Sequence, residues 1–183
     1  MKFIETPLSG LYVVEPEPNY DHRGFFARAF CAREFQALGL EPTVAQTNIS
    51  FSEKAGTVRG MHFQVAPHME TKLIRCTRGA VYDVVVDIRS DSPTYLKWYA
   101  VELTQDNRRM IFVPRGFAQG LQTLVDKTEV FYIMSEFYHP ESQRGLRWDD
   151  PALGISWPLG NPITSDWDRS HALLDKRQKL ESC

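Results

Sequence analysis

Through most of its length the chain is written in short runs rich in Val, Ile, Tyr, Phe and Thr, each cut off by Gly, Pro, Asn or Asp within a few residues. Runs of that length and composition suit many short strands and leave little room for long helices. The clearest run covers residues 80–88, Ala-Val-Tyr-Asp-Val-Val-Val-Asp-Ile. It follows residues 72–77 through the turn-like pair Arg78-Gly79 and precedes Ser92-Pro93, a pattern that predicts a β-hairpin and then a loop. Further strands are expected at 99–103, 110–113, 121–124 and 129–134, and Tyr12-Val13-Val14 is strand-like near the N-terminus. This spacing predicts an all-β antiparallel sandwich or barrel. Helix signals are weaker. Residues 32–38 end at Gly39, a good helix stop, and residues 170–180 have the composition of a short polar helix; both read as peripheral. A Pro/Gly/Asn loop at 158–164 returns the chain to the body. With no repeat, low-complexity tract or linker, residues 1–183 read as one domain.

Composition removes several classes of function. At 43% hydrophobic and 24% charged residues, the chain fits a folded soluble protein rather than a disordered or membrane protein. A net charge of -2 and a pI near 6.2 do not suit a nucleic-acid binder, so any basic site is local. Cys31, Cys76 and Cys183 are an odd number without close spacing, which suggests neither a disulfide framework nor a zinc site. Polar residues come too early at the N-terminus for a signal peptide, and no apolar stretch is long enough to span a bilayer. A cytoplasmic protein with reduced thiols is expected.

Two segments place dense polar groups beside strand-like residues: Arg59-Gly60-Met61-His62-Phe63-Gln64 and Pro114-Arg115-Gly116-Phe117-Ala118-Gln119-Gly120. They resemble the two cupin motifs, which implies a double-stranded β-helix, or jelly-roll, barrel with short peripheral helices. Metal-binding cupins carry an H-x-H pair and a third His after a P-x-G turn. Here only His62 remains, with Gln64 and Gln119 at the other two places, so no metal site is expected and His62 is free to act as a base.

The resemblance then narrows. Asp21-His22-Arg23-Gly24-Phe25-Phe26, Gln46-Thr47-Asn48-Ile49-Ser50, the His62 segment and Lys72-Leu73-Ile74-Arg75 stand in the order of the dTDP-4-dehydrorhamnose 3,5-epimerase family. So do Val84 to Arg89, Ser92-Pro93-Thr94, Gly116-Phe117-Ala118, Tyr132, Tyr138-His139-Pro140-Glu141, Trp148-Asp149-Asp150-Pro151, Trp157-Pro158 and Ser165-Asp166-Trp167-Asp168. Nearly the whole chain is covered. The resemblance implies proton transfer beside the C4 ketone of a nucleotide-linked 4-keto-6-deoxyhexose, at C3, C5 or both. Removal of either proton gives an enolate, and no redox cofactor is needed. By resemblance His62 is the base, Asp168 orients its ring, and Tyr132 returns a proton on the opposite face. Lys72 offsets charge on the C4 oxygen, a contribution often worth ~3–4 kcal/mol per donor. Arg23 and Arg59 hold the diphosphate, Tyr138 stacks on the base, and Gln46 and Asn48 meet sugar or base edges. The family implies a homodimer with exchanged N-terminal strands, Arg23 then serving the neighbouring site.

Four positions depart from the family pattern: Gln119 replaces a His, Arg28 a Glu, Gln143 an acidic residue and Trp167 a Lys or Arg, all expected near the ligand. They bear on which sugar nucleotide is accepted (dTDP-linked first, CDP-linked or another as the alternative) more than on the proton transfer. Taken singly, His62 reads as a structural imidazole, Tyr132 as a core tyrosine, and Lys72, Arg59 and Asp168 as solvated surface charges. Two rival functions stand beside the epimerase: a metal-dependent cupin isomerase or oxygenase, which the missing ligands oppose, and a non-catalytic sugar-nucleotide binder, which the His62, Tyr132 and Lys72 set opposes.

Overall fold

The period-two runs form thirteen strands, with two short helices, in the computed structural model, which describes residues 1–175. In chain order these are β1 (Lys2–Glu5), β2 (Tyr12–Glu15), β3 (Asn19–Asp21), β4 (Gly24–Phe26), α1 (Ala32–Ala37), β5 (Gln46–Ser52), β6 (Val58–Gln64) and β7 (Lys72–Arg78). There follow β8 (Ala80–Asp87), β9 (Trp98–Thr104), β10 (Met110–Val113), β11 (Phe117–Thr123), β12 (Thr128–Met134), β13 (Gln143–Gly145) and α2 (Asp166–Ser170). One sheet has the order β1-β2-β10-β7-β12-β5, the other β13-β6-β11-β8-β9, and β3-β4 is a separate hairpin. The named strand pairs are antiparallel, as expected, and the fold is the cupin jelly roll.

The expected hairpin across Arg78-Gly79 is not formed. β7 pairs with β10 and β12, whereas β8 pairs with β11 and β9, so the chain turns a corner from one sheet to the other at Gly79. Gly79 has φ +78, and a Cβ there would stand 2.5 Å from the Thr128 side chain. A positive φ and a tight approach suit glycine equally at a hairpin turn or a corner. Alternation within a strand reports which face is buried; it does not report which neighbour the backbone joins.

Both sheets have cores on two faces, which explains why β8 carries apolar residues on both of its faces. Its Val81 and Val85 pack between the sheets with Ile74, Leu103, Ile111, Phe117 and Val130. Val84, Val86 and Ile88 point outward and are covered, with Met61, Ala118, Leu146 and Leu153, by the C-terminal segment carrying Trp157 and Leu174. On the outer face of the other sheet, α1 places Phe35 on Val14, Leu73, Met110 and Phe112. Each fully buried side chain of this kind contributes roughly 1.5–3 kcal/mol.

β5 inverts the usual rule. Its inward residues Gln46, Asn48 and Ser50 line a cavity, while outward Ile49 and Phe51 are 67% and 40% exposed. Polar residues thus face a wet interior, which hides the strand from a hydrophobicity pattern. β6 and β11 approach closely: a Cβ on Gly60 would lie 2.4 Å from the Gly120 Cα, and the β6–β11 register slips between Gln119 and Leu121. Such a bulge re-aims neighbouring side chains, here His62 and Gln119.

The helix expected at 170–180 is not formed over residues 171–175, the described part beyond Ser170. α2 ends at Ser170, His171 has extended backbone, and residues 176–180 lie outside the described residues, as does Cys183. Ser165 caps α2, its Oγ accepting from the Asp168 amide at 3.0 Å, and Asp166 and Asp168 occupy the first turn. That cap starts a short helix ahead of the expected segment.

One buried carboxylate anchors the loop after β8. Asp87 accepts from Arg89 Nη2 at 2.7 Å and from the hydroxyls of Ser92 and Thr94, both at 2.6 Å. Burial works against its charge, but these donors prevail and hold its pKa down at about 2. Because the folded value lies below the unfolded one, this stability is present above the ordinary carboxylate range and is lost as pH falls from about 4 to about 2. Asp87→Asn is expected to cost about 2 kcal/mol at pH 7 and to flatten that acid limb, as read by denaturant unfolding at pH 7 and pH 3.

Candidate active site

Between the sheets lies a cavity of about 630 Å³. One wall is Gln46, Asn48 and Ser50 of β5, Lys72 and Ile74 of β7, and Val130, Tyr132 and Met134 of β12; the other includes Val58, Arg59, His62 and Gln64 of β6 and Gln119 and Leu121 of β11. Trp167 and Asp168 of α2 close one side. The alternation of β12 turns Tyr132 inward on the sheet opposite His62.

His62 Nε2 is 2.6 Å from Asp168 Oδ1. The carboxylate is 3% exposed, and burial opposes its charge; the hydrogen bond and charge of His62, with help from Ser165 and the Gly60 backbone, nevertheless keep its pKa below the usual range. An ionised Asp168 therefore holds one ring nitrogen and leaves the other to exchange a proton. Trp167 packs against the imidazole, ring centroids 4.9 Å apart and planes tilted by 57°, and His171 meets Trp167 edge-on at 4.4 Å. His171 is a residue that sequence reasoning missed. Its pKa is lowered by burial and by the His62 charge, and its Nε2 is buried without a hydrogen-bond partner among the described residues. It occupies the space above Gly145, where a Cβ would fall 2.2 Å from Nε2.

Tyr132 is pushed above the ordinary phenol value by burial, with Arg59 pulling it down and Glu70 pushing it up. It is a protonated acid at neutral pH. Lys72 donates to the His62 carbonyl at 3.1 Å and pairs with Glu70 Oε1 at 3.1 Å, both side chains nearly buried. Glu70 also accepts from the Gln64 amide at 3.1 Å. Glu70 was not singled out from sequence, since a carboxylate two residues before a lysine has no local signature.

At the outer end, Arg59 donates to Ser52 Oγ at 3.1 Å and to the Phe51 carbonyl at 3.0 Å. Tyr138, half exposed at the rim, donates from its backbone to Gln46 Oε1 at 3.0 Å and from its hydroxyl to Gln143 Oε1 at 2.5 Å. Asn48 reaches Met134 Sδ at 3.4 Å. Arg23 is not brought to this cavity: it lies in the exposed β3–β4 turn and pairs with Asp21 at 2.6 Å. Arg28 likewise stays outside, paired with Glu34 at 2.8 Å, so of the four departures only Gln119, Gln143 and Trp167 line the cavity.

Gln119 has a buried partner. Its Nε2 donates to Asp83 Oδ2 at 2.8 Å, which leaves its carbonyl as an acceptor, and Asp83 Oδ1 has no partner among the described residues. Burial raises the Asp83 pKa to about 8, against the pull of Gln119 and Lys72. An acid in the middle of the apolar run 81–86 was the available sequence signal. The folded value lies above the unfolded one, so the protonated acid's contribution is present below about pH 4 and declines as pH rises toward about 8. Wild-type melting temperature is expected to fall between pH 5 and 8 relative to Asp83→Asn, whose difference curve isolates this group in a pH series of thermal melts.

A jelly-roll cavity with an imidazole–carboxylate pair on one wall and a buried phenol on the other defines a class of cupin enzyme built for proton transfer. The family described as dTDP-4-dehydrorhamnose 3,5-epimerase matches residues 5–176. A dTDP-4-dehydrorhamnose 3,5-epimerase of Sinorhizobium fredii is 44% identical over 175 residues, 95% of this chain and 90% of the relative. The crystal structure of the Bacillus anthracis enzyme of the same name, with TDP and PPi bound, superposes with a TM-score of 0.91 at 44% identity, covering 94% of this chain and 99% of that one. The Legionella pneumophila dTDP-6-deoxy-D-glucose-3,5-epimerase, in complex with dTDP-4-keto-L-rhamnose, has a TM-score of 0.88 at 37% identity over 94% and 92% of the two chains. This chain belongs to the dTDP-4-dehydrorhamnose 3,5-epimerase family and is a carbohydrate epimerase.

Proposed function

We propose that the protein epimerises a dTDP-linked 4-keto-6-deoxyhexose at C3 and C5, with His62 as base and Tyr132 as acid. The observation that carries this reading is the placement of the Asp168-held imidazole and the protonated phenol on opposite sheets of one cavity. His62 removes the proton beside the ketone, and Asp168 supports the imidazolium that forms. Lys72, held by Glu70 and the His62 carbonyl, faces the enolate oxygen with its remaining N–H. Tyr132 delivers a proton to the other face, and its raised pKa keeps that proton in place until it is needed. Proton exchange with solvent returns His62 to the neutral imidazole and Tyr132 to the phenol, and the same set then acts at the second carbon after the sugar turns. Arg59 meets the diphosphate, Tyr138 the base, and Gln46, Asn48, Gln119 and Trp167 the sugar and nucleotide edges. No cofactor takes part.

The test is incubation with the dTDP-linked 4-keto sugar in heavy water. Deuterium is expected at C3 and C5; Tyr132→Phe should slow turnover by ~10²–10⁴-fold and His62→Ala should abolish exchange at both carbons. Binding without exchange in the wild type would leave a mere binding module, and exchange at one carbon would reject the double inversion.

We also infer a homodimer in the cytoplasm. Ile49 and Phe51 expose an apolar outer face on β5, Tyr20 and Phe26 are each 73% exposed on the β3–β4 hairpin, and Arg23 does not line its own cavity. In the dimer Arg23 serves the partner's cavity. The described Cys31 and Cys76 are free thiols, in keeping with a reducing compartment, and no helix among the described residues is long and apolar enough to cross a membrane. Light scattering on a sizing column should give about twice the 21.1 kDa chain mass; a monomer at micromolar concentration would reject the dimer.

A further inference from the structure

Two loops meet at the rim of the cavity, away from the proton-transfer groups: residues 65–71, between β6 and β7, and residues 135–142, between β12 and β13. They bring together His68, His139 and Glu141, each with a potential ligand atom, all within 4.8 Å of one another. The two imidazoles stack, centroids 3.5 Å apart and planes inclined by 11°. Glu141 Oε1 is 3.1 Å from His139 Nδ1, and Glu136 Oε1 is 4.0 Å from His139 Nε2. None of these four side chains has a part in the chemistry above.

The backbone beneath them is clamped by one buried amide. Gln64, 4% exposed, donates from Nε2 to the carbonyls of His68 at 2.8 Å and Phe137 at 3.1 Å, and accepts from the His139 amide at 2.6 Å. Both loops are thus held in register by one side chain. The ring of His68 is fixed in turn, Nδ1 lying 2.8 Å from the Oγ of buried Ser142. When the ring donates from Nδ1, Nε2 is left as a lone-pair donor, the outer-shell arrangement that metal-ligating histidines use. Two imidazoles and a carboxylate form a donor set for Zn²⁺ and other late first-row divalent ions.

We propose that His68, His139 and Glu141 form a binding site for a divalent transition-metal ion, for which Zn²⁺ is the test case. The partly exposed His139 ring swings out of the stack so that its nitrogen edge converges with that of His68; Glu141 supplies an oxygen, and water completes the coordination. Tyr138 stands between Phe137 and His139, so an ion here pins the loop that forms the cavity's rim. Metal occupancy is thereby coupled to the order of Tyr138, while the ion stays outside the space where the sugar reacts.

The experiment is equilibrium dialysis of the tag-free full chain against Zn²⁺, with metal quantified by mass spectrometry. One saturable equivalent is expected. His139→Ala and His68→Ala should each weaken binding by ~10-fold or more, Glu141→Gln should weaken it less, and His62→Ala should leave it unchanged. Metal-free melting temperatures show whether each variant is folded; His139 is a surface side chain, so His139→Ala carries the test if His68→Ala is damaged. The proposal is overturned by the lack of a saturable site up to ~100 µM Zn²⁺, or by wild-type affinity in a folded His139→Ala variant.

Discussion

Asp168 is a carboxylate with almost no solvent, and it stays ionised because His62, 106 residues earlier in the chain, stands 2.6 Å away. A buried charge without such a partner is strongly destabilising. The pairing therefore fixes the route of the C-terminal segment: Ser165 must cap a short helix against β6, and residues 146–174 must cover the outer face of the five-stranded sheet. In the same stroke Trp167 is packed against the imidazole and His171 behind it. Stability and chemistry share this contact.

The cavity has its own polar economy. Lys72 and Glu70 form a nearly buried pair, and removing one partner would strand the other at ~3–5 kcal/mol. Asp83 takes the other course: the hydrogen bond from Gln119 and the charge of Lys72 are too weak to offset burial, so the carboxyl retains its proton. Gln119 lends this acid one N–H and turns its own acceptor free. Where the family pattern has an imidazole, this chain therefore presents an uncharged amide backed by an uncharged acid.

The cupin positions that hold metal elsewhere are put to a different use here. Gln64 is a structural clamp, its side-chain amide bonded to three backbone groups of the two rim loops. That clamp sets Tyr138 at the cavity's edge and brings His68 and His139 face to face.

Much was legible before any coordinates. The period-two runs marked β8, β9, β10 and β12 within a residue or two, because each contributes apolar residues to the cluster packed between the sheets. β5 was not read as a strand, since its inward row faces a cavity and is polar. The corner at Gly79 was mistaken for a hairpin because a glycine with positive φ serves either. Motif order pointed to His62, Tyr132, Lys72 and Asp168, and the fold brings all four to one cavity, yet Arg23 and Arg28 remain outside it. Glu70, Asp83 and His171 went unnoticed, as their importance comes from partners distant in sequence. Residue chemistry and local periodicity belong to the sequence itself, which therefore determined the strand-rich class and the missing cavity metal ligands, while the kind of reaction followed from the resemblance of its ordered motifs to the epimerase family. Strand partners, burial and the charge state of each carboxyl depend on what lies across space, and only the tertiary structure decided those.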